Sequence, residues 1–489
     1  MHRVSALRKG DASTRTAGGG MGHRSNAINV TVVRGTHVLT MGPLGDIERG
    51  AVSFDRASGA ILRVGPVAEV MSAHPGAEVV GGENDIVIPG FVNAHDHLSE
   101  GLISGLGETM TLYEWVHRLI TPVTRLMNRE YAYAGALLKG AEMVLSGITC
   151  VNDMFVHANP GSMASLGSVD GLEEVGLRSV VCLGAFNRPE AIPEESIFEE
   201  HLALAARCSQ SRLSVFRLGI DTLHGQTDSL LKASVDEARR NDWRTHSHLA
   251  ETREEITEAR IAYGTTTLGR ARDFGALEVG GIYAHCIWLT EPDVSLLGSH
   301  PVAVAHNPVS NMILGSGVCP VPHLRQSGIP VGLGTDGAAS NDSHDMLQVM
   351  KFAALMQKLH SLDSAALTAR DVMAMATIEG ARALCLDGKI GSLEPGKLAD
   401  ITHFSGASTR LAYVHDPYQQ LVYCAAPGDV ANVWVNGRRV VADHALVTVK
   451  QPEVVSRARG LARELFDRAG LQDVARRDRL TSARQTARP

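Results

Sequence analysis

The sequence lacks the features that mark several classes of protein. Its seven cysteines are scattered, odd in number and free of Cys-x-x-Cys spacing, which disfavours a disulfide framework or a thiolate zinc site and predicts reduced thiols in the cytoplasm. No apolar run reaches the roughly 18 residues needed to span a bilayer. The net charge of −7 provides no basic surface for nucleic acid. We therefore expect neither a membrane nor nucleic acid as a partner.

The two ends of the chain differ in composition from the rest. Residues 1–27 are rich in Gly, Ser, Thr and Arg and lack the apolar segment of a secretory signal. We expect a disordered leader there, with either Met1 or Met21 as the natural start. Residues 451–489 combine a helical pattern over 452–471 with a basic, polar tail. The helix is expected to dock on the folded part of the chain.

The middle of the chain, residues 86–389, alternates short apolar runs with longer helical stretches. That alternation is typical of parallel strands joined by helices, and eight such runs predict a (β/α)8 barrel. With 44% hydrophobic and 20% charged residues in a chain of 489, the composition is sufficient for a core of this size. The predicted strands are Ile86–Val92, Gly147–Met154, Arg178–Leu183, Leu213–Ile220, Arg244–Leu249, Gly281–His285, Val302–His306 and Val331–Thr335.

Two β-rich segments flank this middle part. Residues 28–85 and 390–450 both contain short runs with strand composition, separated by turns. Because neither segment alone contains many strands, we expect one small β-sandwich assembled from both ends of the chain. The barrel would then be a large insertion within that β-sandwich.

Metal-capable side chains follow several of the predicted strands. His95 and His97 lie one residue apart at the end of the first apolar run, and side chains two positions apart on a strand point the same way. Barrel enzymes place their chemistry at the carboxyl ends of the strands. Three imidazoles and one carboxylate there would suit a single zinc or similar divalent ion with an open position for water. Further candidates follow the later strands, at His246, His248, Glu251, His285, His306 and Asp336.

Such a site predicts hydrolytic chemistry. A bound divalent ion lowers the pKa of water towards about 7 and so supplies hydroxide at neutral pH. A leaving group on a ring carbon departs readily only when it is protonated, so a second carboxylate is needed to transfer a proton. Glu251, which lies three residues after His248, is the candidate for that role.

Ordered segments between about residues 28 and 450 resemble the amidohydrolase superfamily. The resemblance is to the branch that contains triazine hydrolases, guanine deaminases and the deaminases of S-adenosylhomocysteine and methylthioadenosine. It implies a barrel with a metal-dependent hydrolytic site. The matching segments are PGFVNAHDHL, LYEWV, SGITCVNDM, HSHLAET, AHCIWL, VAHNPVSNMILGSG, GLGTDGAASN and LEPGKLADI.

The resemblance also implies a role for individual side chains. Glu251 would transfer protons and contact the ring, His285 would orient the attacked centre, and Asp336 would also accept the proton of the attacking water. Members with two metals use a lysine at the end of strand 4, where SVFRLGID offers none. One ion is therefore implied, most simply zinc, with iron as the alternative. Its ligands would be His95, His97, His248 and Asp336.

The residues expected to contact the substrate depart from the pattern of this branch. S-adenosylhomocysteine deaminases usually carry a His-x-Pro-Tyr-like segment after strand 4. Here DTLHGQTDSLL places Asp221 near the usual His and His224 near the usual Tyr. Trp115 and His157 are further candidates for the pocket wall. An intact metal set beside an altered pocket favours the same chemistry on a different ring.

The sequence as a whole therefore predicts a metal-dependent hydrolytic deaminase. Its substrate would be an amino-substituted nitrogen heterocycle of the purine, nucleoside, pterin or triazine type, and ammonia would be released. One alternative is removal of chloride or an alkylamine from a triazine-like ring. Another is a non-catalytic binding module that keeps the fold. Members of the branch are commonly oligomeric, so a homo-oligomer is also expected.

Overall fold

The computed structural model of the protein describes residues 29–476. The predicted leader, residues 1–27, and most of the predicted basic tail lie outside the described residues. Within residues 29–476, no helix has both the length and the apolar character that crossing a membrane requires. The predicted C-terminal helix is present as Gln451–Arg468.

The strands follow the apolar runs of the sequence, because alternating or continuous apolar residues can bury one or both faces of a sheet. In chain order they are β1 (Val30–Leu39), β2 (Asp46–Asp55), β3 (Ile61–Pro66), β4 (Glu78–Val80), β5 (Ile86–Pro89), β6 (Phe91–Asp96), β7 (Ile148–Val156), β8 (Arg178–Gly184), β9 (Ser214–Phe216), β10 (Leu218–Thr222), β11 (Thr245–Leu249), β12 (Gly281–His285), β13 (Val302–His306), β14 (Val331–Leu333), β15 (Ile401–Phe404), β16 (Val430–Val435), β17 (Arg438–Ala442) and β18 (Ala445–Leu446).

The helices occupy the longer stretches between these runs, and several begin at a side-chain cap. At the start of α4, for example, Asn128 accepts the N–H groups of Glu130 and Tyr131. In chain order the helices are α1 (Val67–Ala73), α2 (Leu112–Trp115), α3 (Thr121–Thr124), α4 (Arg129–Leu145), α5 (Ser165–Val175), α6 (Glu194–Ser209), α7 (Asp228–Arg240), α8 (Arg253–Tyr263), α9 (Thr267–Asp273), α10 (Ala276–Val279), α11 (Glu291–Gly298), α12 (Pro308–Ile313), α13 (Val321–Gln326), α14 (Met346–Ser361), α15 (Ala369–Met375), α16 (Ile378–Ala383), α17 (Pro417–Gln419) and α18 (Gln451–Arg468).

Strands from both ends of the chain pair in one sheet. Nine strands of the described part take the order β18-β17-β16-β15-β5-β1-β2-β3, with β4 paired to β1. The two ends join through the antiparallel pair of β5 and β15, in which Ile401 faces Pro89 and Phe404 faces Ile86. The expected assembly of one β unit from both chain ends is thus present as a strand ladder.

This nine-stranded sheet curls over a shared apolar core. β2 and β16 are four positions apart in the sheet order, which would separate them by about 19 Å in a flat sheet. The rings of Phe54 on β2 and Trp434 on β16 nevertheless lie 6.0 Å apart between centroids, edge to face. The sheet is therefore continuous and strongly bent. A division into two stacked sheets, as in the expected sandwich, stays a prediction.

The middle of the chain forms two parallel sheets. One has the order β6-β7-β8-β9 and the other the order β10-β11-β12-β13-β14. Between β6 and the end of β14, the N–H of Asp336 donates to the carbonyl of His95 at 3.0 Å, and Asn93 Oδ1 accepts the N–H of Thr335 at 2.9 Å. The predicted α/β architecture of parallel strands is confirmed. Among the described residues, the strand ladders do not close into one barrel.

Each of the eight predicted runs contains a parallel strand, with two differences. The run 86–92 is divided at Gly90, so β5 belongs to the nine-stranded sheet and β6 is the first parallel strand. A Cβ atom at Gly90 would lie 2.1 Å from the side chain of Thr149, so only glycine fits this crossing. The fourth run is divided at Arg217 into β9 and β10. Because the first parallel strand is β6, Phe91–Asp96, His95 lies within this strand and not after its end.

Candidate metal centre

Two histidines present the same ring nitrogen towards a common point. His97 follows β6, and its Nδ1 lies 2.7 Å from the carbonyl oxygen of Met154. His248 lies on β11, and its Nδ1 lies 2.6 Å from the carbonyl oxygen of Asp221. Because a carbonyl only accepts, each Nδ1 donates its proton and each neutral ring keeps a lone pair on Nε2. The two Nε2 atoms are 3.0 Å apart, an arrangement that a shared cation stabilises.

His95 adds a third imidazole from within β6. Its ring is fully buried and its Nδ1 lies 2.9 Å from Nε2 of His246. Burial lowers the pKa of His95 well below its ordinary value, so the ring is neutral and able to coordinate. Its Nε2 has no hydrogen-bond partner. His246 therefore contacts a candidate ligand, and His95 offers an unoccupied nitrogen to the centre of the cluster.

Asp336 supplies a carboxylate directly after the last parallel strand. Its Oδ1 lies 3.4 Å from Nε2 of His95 and 3.5 Å from Nε2 of His97. Burial acts to raise the pKa of this carboxyl, but the close imidazole of His95 and those of His285 and His97 outweigh burial. The pKa therefore lies well below its ordinary value. Asp336 is consequently an anion in the middle of the cluster.

The four side chains together fit a divalent metal ion. The ligand atoms of His95, His97 and His248 lie within 4.8 Å of one another, as do those of His95, His285 and Asp336. The unpartnered Nε2 of His95 is a buried polar atom, and such atoms normally have a partner. Three ring nitrogens and one carboxylate oxygen are a donor set that suits zinc. The structure thus brings all four predicted metal ligands together.

Glu251 faces this cluster from just after β11, the strand that carries His248, and His285 faces it from the end of β12. His285 Nε2 lies 3.7 Å from an oxygen of Glu251 and 3.7 Å from an oxygen of Asp336. Ser316 donates to Oε1 of Glu251 at 3.1 Å. Burial raises the pKa of Glu251 to about 8. Its carboxyl is therefore protonated at neutral pH and can donate a proton next to the metal ligands.

The backbone at the strand ends aims these side chains into the cluster. Ala250, His285 and Asp336 have φ angles of 52°, 73° and 64°, in the left-handed region that residues with a side chain seldom adopt. Strain of this kind costs roughly 1–3 kcal/mol per residue and persists where the surrounding structure enforces it. Three such residues at three strand ends indicate that the local backbone is constrained by the site.

A cavity of about 790 Å³ opens onto the cluster. Three of the four residues predicted to contact the substrate lie on its wall: Trp115, Asp221 and His224. The fourth, His157, does not line this cavity. Its Nε2 lies 3.0 Å from Oε1 of Glu200 in a buried pair, and it borders a small neighbouring cavity instead. The structure thus brings three of these four side chains to the wall of the cavity that opens onto the cluster.

The whole of this site lies within one family match. Residues 86–440 match the model of the amidohydrolase family. The chain belongs to the amidohydrolase family. The match includes every strand of the two parallel sheets and all four metal-ligand candidates, so the resemblance inferred from the sequence motifs is confirmed.

Relatives of this amidohydrolase include curated deaminases of adenine nucleosides. The 5′-deoxyadenosine deaminase of Methanothermobacter thermautotrophicus is 36% identical over 435 residues, which are 88% of this chain and 98% of that protein. The 5-methylthioadenosine/S-adenosylhomocysteine deaminase of Desulforudis audaxviator is 35% identical, over 84% of this chain and 94% of that protein. These relatives confirm the predicted class, a metal-dependent hydrolytic deaminase.

A solved structure shares the fold over nearly the whole described chain. It is an adenosine deaminase from Xanthomonas campestris with bound zinc, 27% identical, with a TM-score of 0.83. The likeness covers 89% of this chain and 98% of that chain. A metal-bound relative of the same fold agrees with the histidine and aspartate cluster of this amidohydrolase.

Sequence reasoning missed Glu100, which lies on the cavity wall three residues after His97. Its Oε2 accepts the N–H of Ala339 at 3.0 Å. Burial, followed by the charge of Asp336, raises the pKa of Glu100 well above its ordinary value. Its position three residues after the HDH motif is the only sequence feature that connects it with the site, and that feature does not distinguish it from an exposed glutamate.

Two residues after β13 were also missed, although both belong to the motif VAHNPVSNMILGSG. Asn311 Oδ1 lies 2.8 Å from Nδ1 of His285, and Ser316 donates to Glu251. The amide oxygen of Asn311 accepts the proton of His285 Nδ1, which leaves His285 Nε2 free to face the cluster. These two side chains therefore position His285 and Glu251 beside the cluster.

Asp96 anchors the two ligands on either side of it. Its Oδ2 accepts hydrogen bonds from Asn93 Nδ2 at 2.8 Å and Thr335 Oγ1 at 2.7 Å. His344 Nε2 lies 3.1 Å from the same oxygen, with both side chains fully buried. This network fixes the end of β6 relative to the segment that carries Asp336.

Proposed function

We propose that this amidohydrolase removes the exocyclic amino group from the adenine ring of a nucleoside and releases ammonia. The observation that carries the proposal is a single cavity in which the imidazole cluster, the Asp336 carboxylate and the buried carboxyl of Glu251 meet. The two curated relatives are named for substrates that all contain adenine, so the proposal returns to the adenine ring and replaces the expectation of a different ring that the altered pocket residues favoured. A cavity of about 790 Å³ has room for such a nucleoside.

We propose that a single divalent ion binds to His95, His97, His248 and Asp336. Zinc is the simplest identity, because the donor set suits it and the solved relative contains it; iron is the alternative. When bound, such an ion supplies Lewis acidity and lowers the pKa of water to about 7. A second ion would need a bridging ligand, and β10 carries no lysine for that role.

In this proposal, the protein side chains divide the proton transfers between them. Asp336 is an anion and accepts the proton of the attacking water. Glu251 is protonated, so it donates a hydrogen bond to a ring nitrogen and then a proton to the departing amine. His285, held by Asn311, lies beside both carboxyl groups and orients the attacked carbon.

We also propose that the parallel strands form a closed (β/α)8 barrel over residues 86–389, with the β unit formed by residues 28–85 and 390–450. The hydrogen bond between the Asp336 N–H and the His95 carbonyl at the seam supports closure. We propose the cytoplasm as the compartment, which the seven free cysteines support. A homo-oligomer stays a prediction.

Ammonia release from the full-length, metal-loaded protein tests the reaction. We expect turnover of adenosine, 5′-deoxyadenosine or 5′-methylthioadenosine, seen both as ammonia and as the absorbance change from adenine to hypoxanthine. Guanine, a pterin and an aminotriazine serve as comparison rings. Dechlorination of a chlorotriazine without turnover of any adenine nucleoside would replace the proposal with triazine hydrolysis. A protein that binds adenine nucleosides without turning them over would favour a binding module.

A further inference from the structure

Helix α14 and the residue that caps its C-terminus expose a row of large apolar side chains. Phe352, Leu355, Leu359 and Leu362 are 37%, 44%, 77% and 89% exposed. They follow one another at intervals of three, four and three residues, and residues at these intervals share one face of a helix. Single exposed apolar side chains are normal on a protein surface, whereas a contiguous row marks a contact surface. These four side chains form the α14 stripe.

The opposite face of α14 packs into the rest of the protein. Met346, Val349, Met350 and Ala353 are fully buried. A helix that is apolar on both faces is typical of an element covered on both sides. Within residues 29–476 the α14 stripe remains exposed to solvent, so its cover has to come from outside this part of the chain.

Two lysines beside the stripe are held by their own chain. Lys351 Nζ donates to the carbonyl of Tyr423 at 3.2 Å. Lys358 Nζ donates to the carbonyl of Ser364 at 2.7 Å and lies 5.9 Å from the centre of the Tyr423 ring. Both ammonium groups therefore have acceptors on the same chain, and none of the four side chains of the stripe is charged. Such a surface suits an apolar partner, because charged residues are depleted at the centre of protein interfaces.

The spacing of the stripe is the same in both directions along the helix. Intervals of three, four and three residues read identically from Phe352 and from Leu362, and they are the intervals of a coiled-coil seam. Two copies related by a two-fold axis between Leu355 and Leu359 can therefore pack their stripes antiparallel. Phe352 of each copy then lies opposite Leu362 of the other, and Leu355 lies opposite Leu359. Such a contact is closed, because each copy presents the same surface to the other.

The segments outside the described residues do not share this spacing. Residues 477–489 contain one large apolar residue, Leu480. Residues 1–28 contain no series of four at intervals of three, four and three; their large apolar residues are Met1, Val4, Leu7, Met21 and Ile28. A second copy of the stripe therefore matches it better than either end of the chain.

The area of the stripe is close to what a stable dimer needs. A standard interface buries about 800 Å² on each partner, of which about 450 Å² is non-polar. With roughly 150–200 Å² for a fully exposed large apolar residue, the four side chains supply on the order of 400 Å² per copy. Helix α12 packs against α14 and carries a further exposed apolar side chain, Met312. The stripe therefore supplies most of the apolar area of a standard interface.

We propose that α14 forms the two-fold interface of a homodimer, in which the stripes of two copies pack antiparallel. The interface goes beyond the proposed function and does not depend on it. Among the described residues, none of α14 lines the cavity beside the metal cluster. Changes in the stripe should therefore separate the copies without altering either site.

Sedimentation velocity on the full-length protein tests the interface. Between about 1 and 50 µM we expect the wild type to have twice the mass of one chain. Leu359→Lys combined with Leu362→Lys should raise the dissociation constant of the dimer by about 100-fold or more, with an unchanged circular dichroism spectrum. The control is Leu202→Lys, which changes a side chain 51% exposed on α6 and should leave the mass unchanged. A monomeric wild type, or a double variant that keeps the mass of the wild type, would overturn the proposal.

A pair of complementary variants tests the antiparallel arrangement. Leu355→Lys and Leu359→Glu each place a charge opposite a leucine in their own homodimers, whereas in a mixed dimer the two charges lie opposite each other. After equal amounts are mixed, with one variant labelled with nitrogen-15, we expect native mass spectrometry to show more mixed dimer than random exchange gives. Leu355→Lys mixed with Leu202→Glu is the control and should give the random share. A random share in both mixtures would overturn the antiparallel packing of the stripes.

Discussion

Replacing Glu251 distinguishes the two candidate reactions, release of ammonia and release of chloride. Glu251→Gln keeps the shape of the side chain and an acceptor for Ser316, but it cannot donate an acidic proton. We expect kcat for ammonia release to fall roughly 100- to 10,000-fold, with metal content unchanged by elemental analysis. Chloride departs without a proton, so a variant that retained most of its activity would point to dechlorination.

The pKa of Glu251 also predicts the pH dependence of the reaction. Burial raises this pKa to about 8, so the acid form dominates below about pH 8 and is lost as pH rises further. We expect kcat at saturating substrate and metal to decline by about tenfold per unit above that pH. Ammonia release measured between about pH 6 and 10 tests this decline in kcat. A kcat that kept rising across this range would be inconsistent with Glu251 as the acid.

His97 provides the direct test of the metal cluster. His97→Ala removes a nitrogen that lies 3.0 Å from Nε2 of His248 and 3.5 Å from Asp336. We expect metal affinity to fall by at least about 100-fold and turnover to be lost with it. The control is His360→Ala, an exposed histidine on α14, which should keep both. Full metal content in the His97 variant would refute the ligand assignment.

At the level of single residues, the sequence predicts the candidate metal ligands better than the residues that support them. His95 and His97 share a strand direction, and the positions after strands 5, 6 and 8 follow from where barrels place their chemistry. Glu100 depends on a single turn of helix, Leu98–Glu100, that returns the chain to the cavity. No periodicity distinguishes such a buried glutamate from an exposed one, so the sequence alone does not identify it.

At the level of elements, the segment after β10 is held by one buried arginine on α9. Arg270 is 2% exposed, its guanidinium lies 3.5 Å from the centre of the Tyr263 ring, and it donates to the carbonyls of Leu223 at 3.0 Å and Gln226 at 3.3 Å. This segment carries His224 on the cavity wall. The arginine therefore fixes one side of the substrate pocket without touching the metal cluster.

Replacing Arg270 should consequently affect binding more than chemistry. We expect Arg270→Ala to raise KM about tenfold with a smaller change in kcat, and to lower the free energy of unfolding by roughly 2–3 kcal/mol. Steady-state kinetics and denaturant unfolding measure the two effects. Arg272→Ala, an exposed residue two positions along the same helix, is the control. A drop in kcat alone would argue against this positioning role.

At the level of elements, the first predicted strand shows that a sequence pattern does not always reveal the boundary between two strands. Ile86 to Val92 is apolar throughout apart from Gly90, so no change of period separates the two strands. Both halves are buried, but in different sheets. The break is set by the close approach of Thr149 to Gly90, a contact between segments some 60 residues apart that only the folded chain reveals.

At the level of the whole molecule, a buried ion pair joins the parallel strands to the nine-stranded sheet. Arg178 on β8 donates to both oxygens of Asp400, which precedes β15, at 2.8 and 2.9 Å. The two side chains are 7% and 1% exposed. Removing one partner of such a pair leaves an uncompensated buried charge, which costs roughly 3–5 kcal/mol.

Asp400→Asn should therefore destabilise both parts of the protein together. We expect the midpoint of thermal unfolding to fall by several degrees in one transition, with near-normal kcat at low temperature. Calorimetry measures the midpoint, and Asp473→Asn, whose side chain is 83% exposed, should leave it unchanged. An unchanged midpoint in the Asp400 variant would show that this pair contributes nothing to the joint stability of the two parts.

The nine-stranded sheet also has a consequence for biosynthesis. β5 ends at Pro89 and its partner β15 begins at Ile401, roughly 300 residues later on the growing chain. At about 5–20 residues per second, roughly 15–60 s separate the synthesis of β5 from that of β15. During this time the edge of β5 that pairs with β15 has no partner strand. β6, which carries the first metal ligand, follows β5 directly. We therefore expect the nine-stranded sheet beside β6 to be completed only after the C-terminal strands have been synthesised.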